Sequence, residues 1–186
     1  VANNSGGEKS LTYGKTEDYV KGLKVVFADG KEYTTKPLNK SELDEKMAQN
    51  DFEGKVYREL FELVSKNKDL LAKAKPKVHK NSAGYYLWNV WDGKTFDINK
   101  LIVGSQGTLG LVTEITFKLV RPKKHSTLLV LFLHDLKALA QVVENVLAHK
   151  PESFESYDDH TMKLAVRFMP DMIKTLGAKN LISLGW

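Results

Sequence analysis

The hydrophobic and polar positions of this 186-residue chain change period several times, and each change marks an element. From position 111 to 119 the alternation is strict. Leu111, Thr113, Ile115, Phe117 and Leu119 share one face and Val112, Glu114, Thr116 and Lys118 the other, which predicts a half-buried strand. Two β-rich runs, 23–27 and 31–35, flank Asp29-Gly30, a pair suited to the positive φ angles of a tight hairpin turn. Between these regions Ser41 with Asp44 resembles a helix start, and Val56, Leu60, Leu63 and Val64 recur at helical spacing with Tyr57 and Phe61 beside them. Pro76 closes this helical insertion, because the residue before a proline is pushed out of the α region.

The polar, proline-bearing stretch Arg121-Pro122-Lys123-Lys124 reads as a domain boundary. After it the pattern becomes strand, helix, strand, helix. Positions 127–133 form the first strand. A helix after Asp135 then carries Leu136, Leu139, Ala140, Val143 and Leu147 on one stripe and ends at Pro151. A short strand at 154–157 and a helix opening at Asp158 or Asp159 follow. Two strands with a helix between them suggest half of a split βαβ sandwich. The expected class is α+β, an antiparallel-dominated sheet with helical decorations followed by the start of a ferredoxin-like unit.

Composition narrows the chemistry. A hydrophobic content of 42% supports one main domain and a smaller appendage. The net charge of +5 is spread along the chain, which suits a phosphate-bearing ligand, and there is no basic run with interleaved aromatics or nucleic-acid module. With no cysteine, disulfides, thiolate metal sites, a Cys nucleophile and a cysteinyl flavin bond are excluded within this segment. No apolar run approaches a membrane span and no signal-peptide pattern is present, so the expected setting is cytoplasmic, with peripheral membrane association left open. The chain opens at Val1 without an initiator Met, from which more protein is expected upstream.

Two stretches carry candidate chemistry. Val1-Ala2-Asn3-Asn4-Ser5-Gly6-Gly7, followed by Tyr13-Gly14, consists of small residues whose backbone can come close to a flat or anionic ligand. Taken alone, this run reads first as a surface turn. The second stretch is Gly104-Ser105-Gln106-Gly107-Thr108-Leu109-Gly110-Leu111-Val112-Thr113. Three glycines in seven residues, flanked by apolar positions, imply a buried turn where backbone meets something bulky. A strand and not a helix follows, so this is not a dinucleotide fingerprint, and without a Lys-Ser or Lys-Thr pair it is not a P-loop.

These stretches, with Gly22-Leu23-Lys24-Val25-Val26-Phe27-Ala28-Asp29-Gly30 and Lys80-Asn81-Ser82-Ala83-Gly84-Tyr85, carry a resemblance. Taken in chain order they resemble the second half of the FAD-binding domain of the p-cresol methylhydroxylase/vanillyl-alcohol oxidase type. That domain occurs in glycolate oxidase flavoprotein subunits, D-lactate dehydrogenases and D-2-hydroxyglutarate dehydrogenases. The resemblance covers residues 1–122, and residues 123–186 resemble the opening of the family's substrate-capping domain. It implies flavin contacts at Ala2, Asn3, Asn4 and Ser5, then at Gln106, Gly107, Thr108, Leu109, Gly110, Leu111 and Val112. Gln106 stands where the family usually has glutamate, keeping an acceptor oxygen and losing the charge.

The resemblance further implies an FAD-dependent oxidoreductase acting on a hydroxyl-bearing carbon, with a 2-hydroxy acid as the expected substrate and an unspecified electron acceptor as partner. A sugar-lactone or aromatic-alcohol oxidase of the same superfamily is the rival enzyme, and a catalytically inert binding or assembly module retaining the fold is the rival of another class. The family's pyrophosphate loop and any histidyl attachment site would lie before Val1. The segment alone is therefore expected to bind FAD weakly or not at all. Most substrate-recognising and catalytic groups would lie beyond Trp186, and none is assigned.

His79, His125, His134, His149 and His160 are scattered without carboxylate partners at metal-binding spacing, so no metal site is expected. Asp158-Asp159-His160 reads as a helix N-cap. Tyr85, Tyr86, Trp88 and Trp91 form an aromatic cluster that reads as core packing before it reads as a ligand platform.

Overall fold

The computed structural model describes residues 1–78, 81 and 83–177. His79, Lys80 and Ser82 lie outside the described residues, as does the stretch 178–186. A short helix, α1 (Ser10–Tyr13), and a 3-10 turn at Thr16–Asp18 lead into β1 (Val20–Val26), which pairs antiparallel with β2 (Glu32–Thr35). The hairpin is present, but its turn is not the tight two-residue form. Gly30 N–H donates to Phe27 O at 3.0 Å, Phe27 N–H donates to Lys31 O at 3.1 Å, and Gly30 alone takes a positive φ, 77°. This is the three-residue connection in which a glycine occupies the left-handed position at the turn's end. Asp29 keeps an ordinary backbone because its carboxylate is used locally. It accepts Lys31 N–H at 3.1 Å and the Tyr33 hydroxyl at 2.6 Å.

α2 (Lys40–Ala48) starts before the expected Ser41, because Asn39 and Glu42 form a reciprocal capping box. α3 (Phe52–Lys66), capped by Asp51, buries Tyr57, Leu60 and Val64 in the core that also holds Leu23 and Val25 of β1, with Tyr57 against Phe96, while Leu63 at 47% exposure faces out. α4 (Lys68–Ala74) ends ahead of Pro76 with Lys75 extended, as the proline requires. After a 3-10 turn at Leu87–Asn89 the chain exchanges two 2.8 Å backbone hydrogen bonds between Leu38 and Phe96 and enters α5 (Asn99–Ile102).

β3 (Leu111–Phe117) then joins the free edge of β1 antiparallel, giving the order β2-β1-β3. Its strict alternation is interrupted. Lys24 pairs with Glu114 and Val25 with Val112, so Thr113 is an extra, bulged residue. Ile115 therefore shares a face with Leu23, while Leu111 pairs with Val26 on the opposite face and is 67% exposed. The single face expected for Leu111, Thr113, Ile115, Phe117 and Leu119 is thus split by one residue. Leu119, at 89%, is not covered by any of the described residues.

The two strands expected at 127–133 and 154–157 do not form. Neither segment pairs with a strand among the described residues, and Leu128 and Phe132 are 85% and 92% exposed. β propensity alone does not make a strand, because the ladder needs an edge to bond to. The expected half of a split βαβ sandwich reduces here to α6 (Leu139–Ala148) and α7 (Asp159–Leu176). α6 begins later than expected and leaves Leu136 78% exposed, because Asp135 accepts Lys137 N–H at 2.8 Å in a turn of its own. α7 opens as expected, with Asp158 accepting Thr161 N–H at 2.7 Å. Among the described residues, no helix is long and apolar enough to cross a membrane. The observed class is a mixed helix and antiparallel-sheet fold.

Candidate functional site

The two small-residue stretches, about a hundred residues apart in sequence, lie side by side. Gly104 N–H donates to Val1 O at 3.1 Å and Gln106 N–H to Ala2 O at 2.9 Å. They do not face each other across a groove as two walls. Direct hydrogen bonding makes them one continuous surface. A cleft of about 690 Å³ runs instead between Gly6, Gly7 and Lys15 on one side and Val143, Leu147 and Phe154 on the other.

The first stretch is held by Asn4, whose φ of 46° suits a residue able to hydrogen-bond locally in the left-handed region. Its side chain is 3% exposed, and its Oδ1 accepts Glu17 N–H at 3.0 Å. Thr16 donates to Ser5 O at 2.9 Å, and Lys100 donates to Glu17 O at 2.5 Å, tying this clasp to α5. The result leaves Ala2, Asn3 and Ser5 exposed while Asn4 faces inward.

The second stretch is a short-range turn leaving α5. Thr108 is fully committed: its N–H at 3.0 Å and its hydroxyl at 2.6 Å both go to Ser105 O. Among the described residues no acceptor takes the N–H of Gly107, Leu109 or Gly110, and Gly107 and Leu109 are the two of these on either side of Thr108. Gly107 has a φ of 79° and open space around it. Gly110 is different. A β-carbon there would meet Val25 and Val26 of β1, so its lack of a side chain serves the sheet. Val112 is likewise packed against the core. Of the eleven residues implied by the resemblance, Ala2, Asn3, Ser5, Gln106, Gly107, Thr108 and Leu111 are exposed and Leu109 is half-buried.

A third stretch reaches the same surface. The Tyr85 hydroxyl lies 2.7 Å from the Thr108 hydroxyl. At the other end of this loop Asn81 O accepts Lys15 Nζ at 2.9 Å and the Tyr86 hydroxyl. The aromatic cluster expected from sequence is therefore divided. Tyr86 stacks on Trp88 at 5.1 Å, Trp91 packs on Phe61 and Phe96, and Tyr85 alone reaches the turn. Sequence reasoning named Asn4 but missed Lys15, and it missed Glu17 and Lys100, the other members of the clasp that holds Asn4. These residues have no periodicity or motif, and only the backbone carbonyls they serve bring them together. Among the described residues no group of His, Asp or Glu could hold a metal ion.

No family model matches the chain. Curated proteins do. A D-2-hydroxyglutarate dehydrogenase of Pseudomonas putida is 27% identical over 168 residues, 90% of this chain and 17% of that protein. Glycolate oxidase subunit GlcD of Bacillus subtilis is 32% identical over 165 residues, 87% of this chain and 24% of that protein. A D-lactate dehydrogenase of Anaerostipes hadrus is 24% identical over 171 residues, 91% of this chain and 26% of that protein. The chain belongs to the FAD-linked oxidase family. It spans between 17 and 26% of the length of these three relatives. In this FAD-linked oxidase segment both small-residue stretches fall within one hydrogen-bonded surface.

Proposed function

We propose that this chain supplies part of the FAD site of an oxidoreductase that oxidises the hydroxyl-bearing carbon of a 2-hydroxy acid. In this reading residues 1–122 belong to an FAD-binding domain of the p-cresol methylhydroxylase type and residues 123–186 begin its substrate cap. The relatives named for D-2-hydroxyglutarate, glycolate and D-lactate support the substrate class. The observation that carries the cofactor is the pairing of Ala2 O with Gln106 N–H, which merges two exposed, small-residue backbones into one surface.

The residues present fit a flavin nucleotide. Gly107 and Leu109 offer free N–H donors to carbonyl or phosphate oxygens, and the absence of side chains at Gly107 lets a flat ring approach. Lys15 places only its aliphatic stem near Gly6, while its ammonium donates to Asn81 O and lies over the Tyr86 ring, so its part is to hold the neighbouring loop. Thr108 contributes no free donor, so its part is to fix the turn. Bound FAD would accept the hydride lifted from the substrate carbon, and the protein orients it and tunes its electronics.

The test uses the protein expressed from its complete gene. It should purify with a flavin absorption spectrum, and anaerobic addition of a 2-hydroxy acid should bleach it. A colourless protein that takes up no added FAD, or a bound flavin that no 2-hydroxy acid reduces, would overturn the reading.

A further inference from the structure

We propose that Tyr85 is a positioning residue for the flavin-facing turn, acting through Thr108; this rests on the cofactor reading above. Proton counting sets the direction of the contact. Thr108 has one hydroxyl hydrogen, and it is donated to Ser105 O at 2.6 Å. The 2.7 Å bond between the two hydroxyls therefore runs from Tyr85 to Thr108. A relay results in which Tyr85 donates to Thr108 Oγ1, and Thr108 donates twice to Ser105 O, once from its hydroxyl and once from its N–H. Each donor polarises the next, so the chain is stiffer than its separate bonds.

The geometry gives this relay a purpose beyond local order. Tyr85 is 45% exposed, so its ring is not held there by burial. Its loop is pinned at the far end, where Lys15 donates to Asn81 O at 2.9 Å and Ala83 N–H donates to Asn81 Oδ1 at 3.0 Å. Gly107 and Leu109, whose N–H groups have no acceptor among the described residues, flank the residue that Tyr85 grips. Fixing Thr108 thus fixes the direction of both donors. With its proton committed, the Tyr85 oxygen is left with lone pairs alone, so it can accept from a ligand N–H or O–H and cannot donate to one.

Tyr85→Phe, Thr108→Val and Thr108→Ser in the complete gene product separate the possibilities, with FAD as the probe on apoprotein. Amide exchange at Thr108, read by NMR without ligand, should quicken roughly three- to tenfold in Tyr85→Phe, the range for one neutral hydrogen bond. Exchange at Ile102 and Val103 should stay unchanged. The FAD dissociation constant should rise by a similar factor in Tyr85→Phe and in Thr108→Val, and no further in the double variant, because one relay is broken either way. Thr108→Ser keeps the hydroxyl and should bind as the parent does. Unchanged Thr108 exchange, or quickened exchange with unchanged FAD affinity, overturns the positioning role while the cofactor reading stands. A parent protein that binds no FAD overturns the cofactor reading, and this inference falls with it.

Discussion

Gly110 lies so close to Val25 that a β-carbon built on it would stand 2.6 Å from Val25 Cγ1 and 2.9 Å from the carbonyl of Val26. Gly107, three residues earlier, has nothing within 4 Å and a φ of 79°. The two glycines of one turn therefore do different work. Gly110→Ala should destabilise the fold by about 1–3 kcal/mol through overpacking against β1. Gly107→Ala should cost about 1 kcal/mol, from left-handed strain alone. Urea unfolding of both variants checks this, and a Gly110→Ala protein as stable as the parent would contradict the packing of β3 on β1.

Lys46 and Glu53 tie α2 to α3. Their contact is 2.5 Å, with the lysine side chain 26% exposed and the glutamate 7%. Removing one partner of a fully buried pair costs roughly 3–5 kcal/mol, and the lysine's partial exposure reduces that to about 2 kcal/mol for Lys46→Met. Adding Glu53→Gln should recover about half of the loss, since the stranded charge is gone. A double variant no more stable than Lys46→Met would show that the loss does not come from the stranded Glu53 charge.

Asp97 is 8% exposed, and burial holds its carboxyl above the ordinary carboxylate range, against the pull of the Asn99 amide and the Lys100 charge. The folded state thus binds the proton more tightly than the unfolded chain. Its contribution to stability is fully present below the ordinary carboxylate range and is lost as pH rises through the elevated folded value. Asp97→Asn keeps the acceptor for Asn99 N–H, a 3.0 Å bond, and removes the titration. Relative to the parent, this variant should gain stability as pH is raised from acid to neutral. A difference that does not change with pH would sink the idea.

Gln106 is exposed, its N–H is held by Ala2 O, and its side chain makes no hydrogen bond among the described residues. Gln106→Glu, which restores the residue that the family resemblance leads one to expect, should leave thermal stability within about 0.5 kcal/mol of the parent. In the complete gene product FAD should be retained. Strong loss of flavin would mean that the environment of this turn differs from the family's.

Local signals in the sequence determined most of the elements. Asp29-Gly30 marked the hairpin, and the spacing of Val56, Leu60, Leu63 and Val64 marked α3, although Leu63 faces out. Pro76 marked the limit of the helical insertion just after α4, and Asp158 the start of α7. Each works through the backbone of its own few residues, so it is readable in one dimension. The small-residue stretches and their family were legible for the same reason. Tertiary structure alone decided the rest. The bulge at Thr113 depends on which residue of β1 each residue of β3 meets, and it overrode a strict alternation. The segments 127–133 and 154–157 have strand composition but no edge to bond, so composition did not decide them. The candidate site depends on Gly104 and Gln106 donating to Val1 and Ala2, and on Tyr85 reaching Thr108. Those are contacts between groups that any residue carries, or between hydroxyls far apart in sequence. No pattern along the chain encodes such meetings, because packing of the sheet on α3 and α5 sets the distances between them.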